Sequence, residues 1–114
     1  AAELKKYLLR LDKKVIMITS FLKDKDYRKV FETFEGLNAE FIVTSLVFKG
    51  RDFKFEKLEE AIGEKKGIYF IKDNKEAYKK ALELYTEDAV IVVAGSLYLA
   101  SVFRDLILGL KHYN

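Results

Sequence analysis

The chain has 114 residues, 50% hydrophobic and 34% charged, which predicts one globular domain over residues 1–114 rather than a disordered chain. Its 21 basic and 18 acidic residues leave a net charge of +3, spread along Lys-rich helices that also carry Glu and Asp, so no concentrated nucleic-acid footprint is expected. The absence of Cys removes disulfides, thiolate metal sites and cysteine nucleophiles, and a single His112 near the end builds no His-based metal site. No apolar run reaches about 18 residues and no signal-peptide pattern is present, so no membrane partner is expected and the cytoplasm is the default location.

Leu4, Tyr7, Leu8 and Leu11 have the spacing of an apolar helix face, and Asp12-Lys13-Lys14 ends that helix. Val15 to Thr19 reads as a buried strand, followed by a loop from Ser20 to Asp26. A second helix turns Tyr27, Val30, Phe31 and Phe34 inward and stops at Gly36, and a second strand spans Phe41 to Thr44. Ser45 to Lys54 reads as a longer loop containing Gly50 and Arg51. Phe55, Leu58 and Ile62 mark a third helix that ends near Gly63, and Ile68 to Ile71 a third strand. Asp73 is the expected N-cap of a fourth helix, with Glu76 placed to reach back to it. That helix buries Ala77, Ala81, Leu84 and Tyr85. The aromatic residues Phe31, Phe34, Tyr69 and Phe70 are assigned to the core.

The final segment organises the rest. Ala89 to Ala94 is uniformly small, apolar or β-branched, as in a strand covered on both faces. Gly95 and Ser96 break the run. Leu99, Val102, Phe103, Leu106, Ile107 and Leu110 then recur at helical spacing. The Gly-Ser turn leaves backbone N–H groups and the Ser96 hydroxyl at a helix start, where an anion binds readily and where Ser96 is equally an ordinary N-cap.

Strands alternating with helices in this way lie parallel and are joined by right-handed crossovers. The expected fold is a three-layer α/β/α Rossmann-like domain with a mainly parallel sheet of about four strands. Open sheets bind ligands at the carboxyl ends of their strands, where the strand order reverses. With strands two and three on one side of strand one and the last strand on the other, the loops from Ser20 to Asp26 and from Gly95 to Tyr98 share one crevice.

Val-Ala-Gly-Ser-Leu-Tyr-Leu-Ala-Ser-Val-Phe-Arg, residues 93–104, resembles a segment of the folylpolyglutamate synthases and dihydrofolate synthases, the folate branch of the Mur ligase superfamily. That segment usually reads Gly-Ser-Leu-Tyr-Leu-x-Gly-x-Val-Arg; here Ser101 replaces the second Gly and Phe103 the Val. Ile18 to Asp26 resembles the Asp-Lys-Asp segment that follows the corresponding strand of the same enzymes, with Ser20 where they often carry Gly. Gly50-Arg51 stands at a place where the family commonly has Pro-Arg.

The resemblance implies the C-terminal domain of an ATP-dependent ligase that joins glutamate to folate or dihydropteroate through an acyl phosphate. It implies a glutamate subsite at Ser96 and Tyr98, with Gly95. It also places Asp24, Lys25, Asp26 and Arg51 in the crevice, as possible nucleotide or substrate contacts. Asp26 is equally a cap for the second helix, and Lys23, Lys25 and Arg51 are equally surface charge. Arg104, two turns into the last helix, is expected to serve structure or a domain contact. Neither a phosphate-binding Gly-Lys-Ser/Thr loop nor the superfamily's His-Asn-Pro motif is present. The expectation is therefore a domain that works with an N-terminal ATPase domain, takes no cofactor itself while the whole enzyme uses ATP and Mg2+, and is inactive alone. The alternatives are the matching domain of another Mur-type amino-acid ligase, whose cell-wall members tend to carry Gly-Lys-Gly-His-Glu after the last strand, or a free-standing flavodoxin-like module.

Overall fold

A computed structural model describes residues 2–21, 26–34, 36–45, 47–48, 51–52, 55–94, 104 and 107. Their elements run α1 (Ala2–Leu11), β1 (Lys14–Thr19), α2 (Asp26–Thr33), β2 (Ala39–Val43), β3 (Val47–Phe48), β4 (Arg51–Asp52), α3 (Phe55–Ile62), β5 (Ile68–Phe70), α4 (Asn74–Leu84) and β6 (Ala89–Ala94). Arg104 and Ile107 are helical. No helix among the described residues is long and apolar enough to cross a membrane.

Four strands form one sheet in the order β5-β2-β1-β6, and every neighbouring pair is parallel. The alternation of β1 sorts its side chains between two faces. Val15 and Met17 pack with Leu8 of α1 and Phe34. Ile16 and Ile18 pack with Ile42, Ala77 and Ala81, the last two from α4. Phe55, Leu58 and Ile62 of α3 extend the first of these faces through Val43 and Phe21. Helices therefore cover both sides of the sheet, the three-layer Rossmann-like arrangement.

Local chemistry sets the element ends. Asp73 has an extended backbone and its carboxylate accepts the Glu76 N–H at 3.0 Å, the expected N-cap. The Glu76 side chain turns forward to Lys79, at 3.3 Å, so the reciprocal half of a capping box is replaced by an ion pair. Gly63, with φ 76°, follows α3, and its N–H closes on the Glu59 carbonyl at 3.0 Å; the left-handed backbone there favours a residue without Cβ.

Four expectations need correction. Ile107, expected on the apolar stripe of the last helix, is helical but 57% exposed. The Ser45 to Lys54 loop contains a small antiparallel hairpin in which Val47 pairs with Asp52 and Phe48 with Arg51. Tyr7 is 59% exposed, turned away from the sheet against which Leu8 is buried and Leu11 half-buried. Tyr85 is 49% exposed, because α4 ends at Leu84 and Tyr85 adopts an extended backbone that carries it off the helical face.

At the amino end of the sheet, Lys14 and Glu40 form an ion pair, both partly shielded. Lys80 lies 4.7 Å from the centre of the Tyr69 ring. The bond from Lys14 holds the Glu40 carboxyl below the usual carboxylate range, helped by a hydrogen bond from Tyr69, whose own hydroxyl is pushed up by that contact. A folded-state value below the unfolded one (about 4.3) means that Glu40 stabilises the fold above that pH. The contribution disappears as pH falls through the lowered folded value. Glu40→Gln is expected to cost stability at neutral pH and to flatten the acid limb, read as urea midpoints between about pH 3 and 7. An unchanged acid limb would remove Glu40 from that role.

Candidate functional site at the strand carboxyl ends

β1 is the branching point of the sheet. The chain moves outward from it through β2 to β5, then returns across it to β6 on the other side. The strand order thus reverses between β1 and β6, where open sheets take ligands. Their register ends with Thr19 opposite Ala94. β1 and β6 thus end level with each other, neighbouring strands standing about 4.8 Å apart; Ser20 follows Thr19, while Gly95, next after Ala94 in sequence, lies outside the described residues.

The backbone on the β1 side of this crevice is anchored. Thr19 O accepts the Thr44 N–H at 2.9 Å. Phe21, 3% exposed, packs edge-on against Phe31 of α2, with ring centres 5.9 Å apart. A second anchor lies one strand further out. The Asn74 Nδ2 group donates to Thr44 Oγ1 at 2.9 Å and to the Ser45 carbonyl at 3.0 Å. Thr44 and Ser45 hydroxyls both donate to the Lys72 carbonyl, at 3.1 and 2.6 Å, and Lys72 Nζ meets Glu56 of α3 at 2.9 Å. This network ties the end of β2 to the turn between β5 and α4. It holds the segment that runs on to the β3–β4 hairpin.

Gly95, Ser96 and Tyr98, the expected glutamate subsite, lie outside the described residues, as do Asp24 and Lys25. Asp26 is the first residue of α2, and Arg51 lies in β4 opposite Phe48; the structure describes the backbone of both and not their side chains. Arg104 is helical and exposed. Thr44, Asn74 and the burial of Ser20 were not singled out from sequence. They depend on contacts between elements some thirty positions apart, a span read directly in the Asn74–Thr44 bond.

A cleft of about 470 Å³ opens at the opposite, amino end of the strands, between Leu8, Lys13, Asn38 and Asp88. Opposed charges line it, and Lys14 at its rim is already paired with Glu40. The strand-order rule assigns ligand chemistry to the other end. Among the described residues no three His, Cys, Asp or Glu side chains gather as a metal site.

Comparison with solved structures finds a bifunctional folylpolyglutamate synthase/dihydrofolate synthase from Yersinia pestis c092, complexed with AMPPNP and a Mn ion, at TM-score 0.68 and 19% identity. The match takes in 93% of this chain and 25% of that one, so this chain spans about a quarter of the synthase. At that identity the likeness is one of fold. None of the curated protein sequences matches. The sequence model of the family described as "Mur ligase, glutamate ligase domain" matches residues 1–97. With most of its length accounted for by that model, the chain belongs to the Mur ligase glutamate ligase domain family.

Proposed function

We propose that this chain is the amino-acid-binding domain of a folate-type Mur ligase, presenting glutamate to an acyl phosphate of folate or dihydropteroate made in a neighbouring ATPase domain. The observation that supports the reading is the pairing of β1 with β6 up to Thr19 and Ala94, the two strands that in sequence lead into the motif-bearing segments. The Gly95-Ser96-Leu97-Tyr98-Leu99 wording favours the folate branch over the cell-wall ligases.

In this mechanism Ser96, the N–H groups beside Gly95 and the Tyr98 hydroxyl hold a glutamate carboxylate. The free amine attacks the acyl carbon; the C–N bond forms, the C–O bond to phosphate breaks, and phosphate leaves with that electron pair while the nitrogen loses a proton to solvent or a nearby base. Asp24 and Asp26 shape the crevice, while Lys25 and Arg51 draw anionic substrates toward it. In this reading ATP and its Mg2+ are held by the rest of the whole enzyme; the Yersinia pestis synthase, crystallised with AMPPNP and a Mn ion, supports a nucleotide and a divalent metal there. Positioning of this kind lowers a barrier without any covalent role for the domain.

In the full-length enzyme, Ser96→Ala or Tyr98→Phe is expected to raise the KM for glutamate about tenfold or more and to leave that for ATP unchanged; this chain alone ligates nothing. Unchanged glutamate kinetics in both variants would defeat the subsite. Preference of the unaltered enzyme for another amino acid would move it to a different branch of the family.

A further inference from the structure

Thr19, Ser20 and Thr44 are the buried polar side chains among the described residues, and all three stand where β1 and β2 run out. The interior is otherwise apolar there, so polarity is concentrated at the end of the sheet where ligands bind. Thr44 is fully engaged: its hydroxyl donates to Lys72 O and accepts from Asn74. Ser20 is different. It is 5% exposed, and its Oγ is a covered side-chain oxygen with no hydrogen-bond partner.

Folded proteins leave few buried polar atoms unpaired, and each costs desolvation that alanine in the same place would avoid. The neighbouring Thr19 carbonyl is taken by the Thr44 N–H. The residue that follows, Phe21, is packed into the core formed with Val43, Phe55 and Leu58, so Ser20 is held between two fixed neighbours. A partner from outside the chain explains the hydroxyl where the fold supplies none.

We infer that Ser20 is a substrate-binding residue whose hydroxyl donates to a carboxylate oxygen of the amino-acid substrate at the β1–β6 crevice. The inference rests on the amino-acid site proposed above and adds a contact from the β1 side to those from the β6 side. A carboxylate suits the position because it brings acceptors only, and a hydrogen bond to an ionised acceptor is stronger than a neutral one. Inorganic phosphate presents similar oxygens, so it serves as the competing probe.

The experiment is thermal unfolding of the 114-residue chain and its Ser20→Ala variant, each titrated with L-glutamate and, separately, with inorganic phosphate. Without ligand, Ser20→Ala is expected to melt higher by ~4 °C, since an unpaired buried hydroxyl is gone. L-Glutamate raises the melting temperature of the unaltered chain, and its apparent Kd weakens about tenfold in the variant. Ser20→Gly, which also lacks the hydroxyl, gives the same affinity reading if the alanine variant does not fold. A lower melting temperature for unliganded Ser20→Ala overturns the inference, because the hydroxyl would then have a structural partner. Equal glutamate affinities overturn it while leaving the amino-acid site standing. A phosphate response lost in Ser20→Ala beside an unchanged glutamate response overturns it in favour of phosphate. No glutamate response in the unaltered chain brings down the amino-acid site and the Ser20 contact together.

Discussion

Ile18→Ala destabilises the chain by about 3 kcal/mol, within the range of roughly 2–5 kcal/mol for large-to-small changes in a close-packed interior. Ile18 is fully buried, lies in register with Ile42 on one side and Val93 on the other, and packs in the cluster that contains Ala77 and Ala81 of α4. Those two alanines bring the helix close to the sheet, so the space left by a shortened Ile18 cannot be refilled from their side. Ile18→Val, which removes one methylene, is expected to cost about 1 kcal/mol. Urea unfolding at constant slope measures both. A loss below about 1 kcal/mol for the alanine variant would show that β1 is not the centre of the interior.

Asn74→Ala is the second large effect, about 2 kcal/mol, and of a different kind. It removes a donor shared by Thr44 Oγ1 and the Ser45 carbonyl, leaving two partly buried acceptors unfed. Asn74→Asp keeps the shape and sets a carboxylate against the Ser45 carbonyl. The favourable end of the α4 dipole offsets part of that loss, by about 0.3–1 kcal/mol. The signature is local: the Ser45 amide, bonded to the Lys72 carbonyl at 3.3 Å, exchanges with deuterium faster in both variants, while amides of β1 follow the global stability. Unchanged exchange at Ser45 would mean that the amide of Asn74 does not hold the end of β2.

The strands β1 and β6 were legible because an uninterrupted apolar run has few alternatives to a doubly covered strand, and the reversal between them followed from right-handed crossovers. The Asp73 cap was legible because its chemistry is local. What escaped was either too short or too distant. Val47-Phe48 and Arg51-Asp52 are pairs of residues, below the length at which alternation can be seen, and Lys49-Gly50 is not a favoured hairpin turn. Tyr7 and Tyr85 have the right spacing for an apolar face, yet spacing does not say how wide that face is or where the helix stops. Ser20 illustrates the limit at the site. Its place after a strand is plain in the sequence, whereas its burial and lack of a partner arise only when β1, β2 and the aromatic cluster around Phe21 come together.

The central place of β1 also governs the order of events during synthesis. Its partner β2 follows it closely from the ribosome, but the strand that completes its other side is β6, the last of the described strands. Until β6 is made, one flank of Val15 to Thr19 presents unpaired N–H and C=O groups beside apolar side chains, a template for pairing with another nascent chain. Slow translation between residues 70 and 89 would lengthen that exposure, and a chaperone that shields an apolar strand would act in this interval.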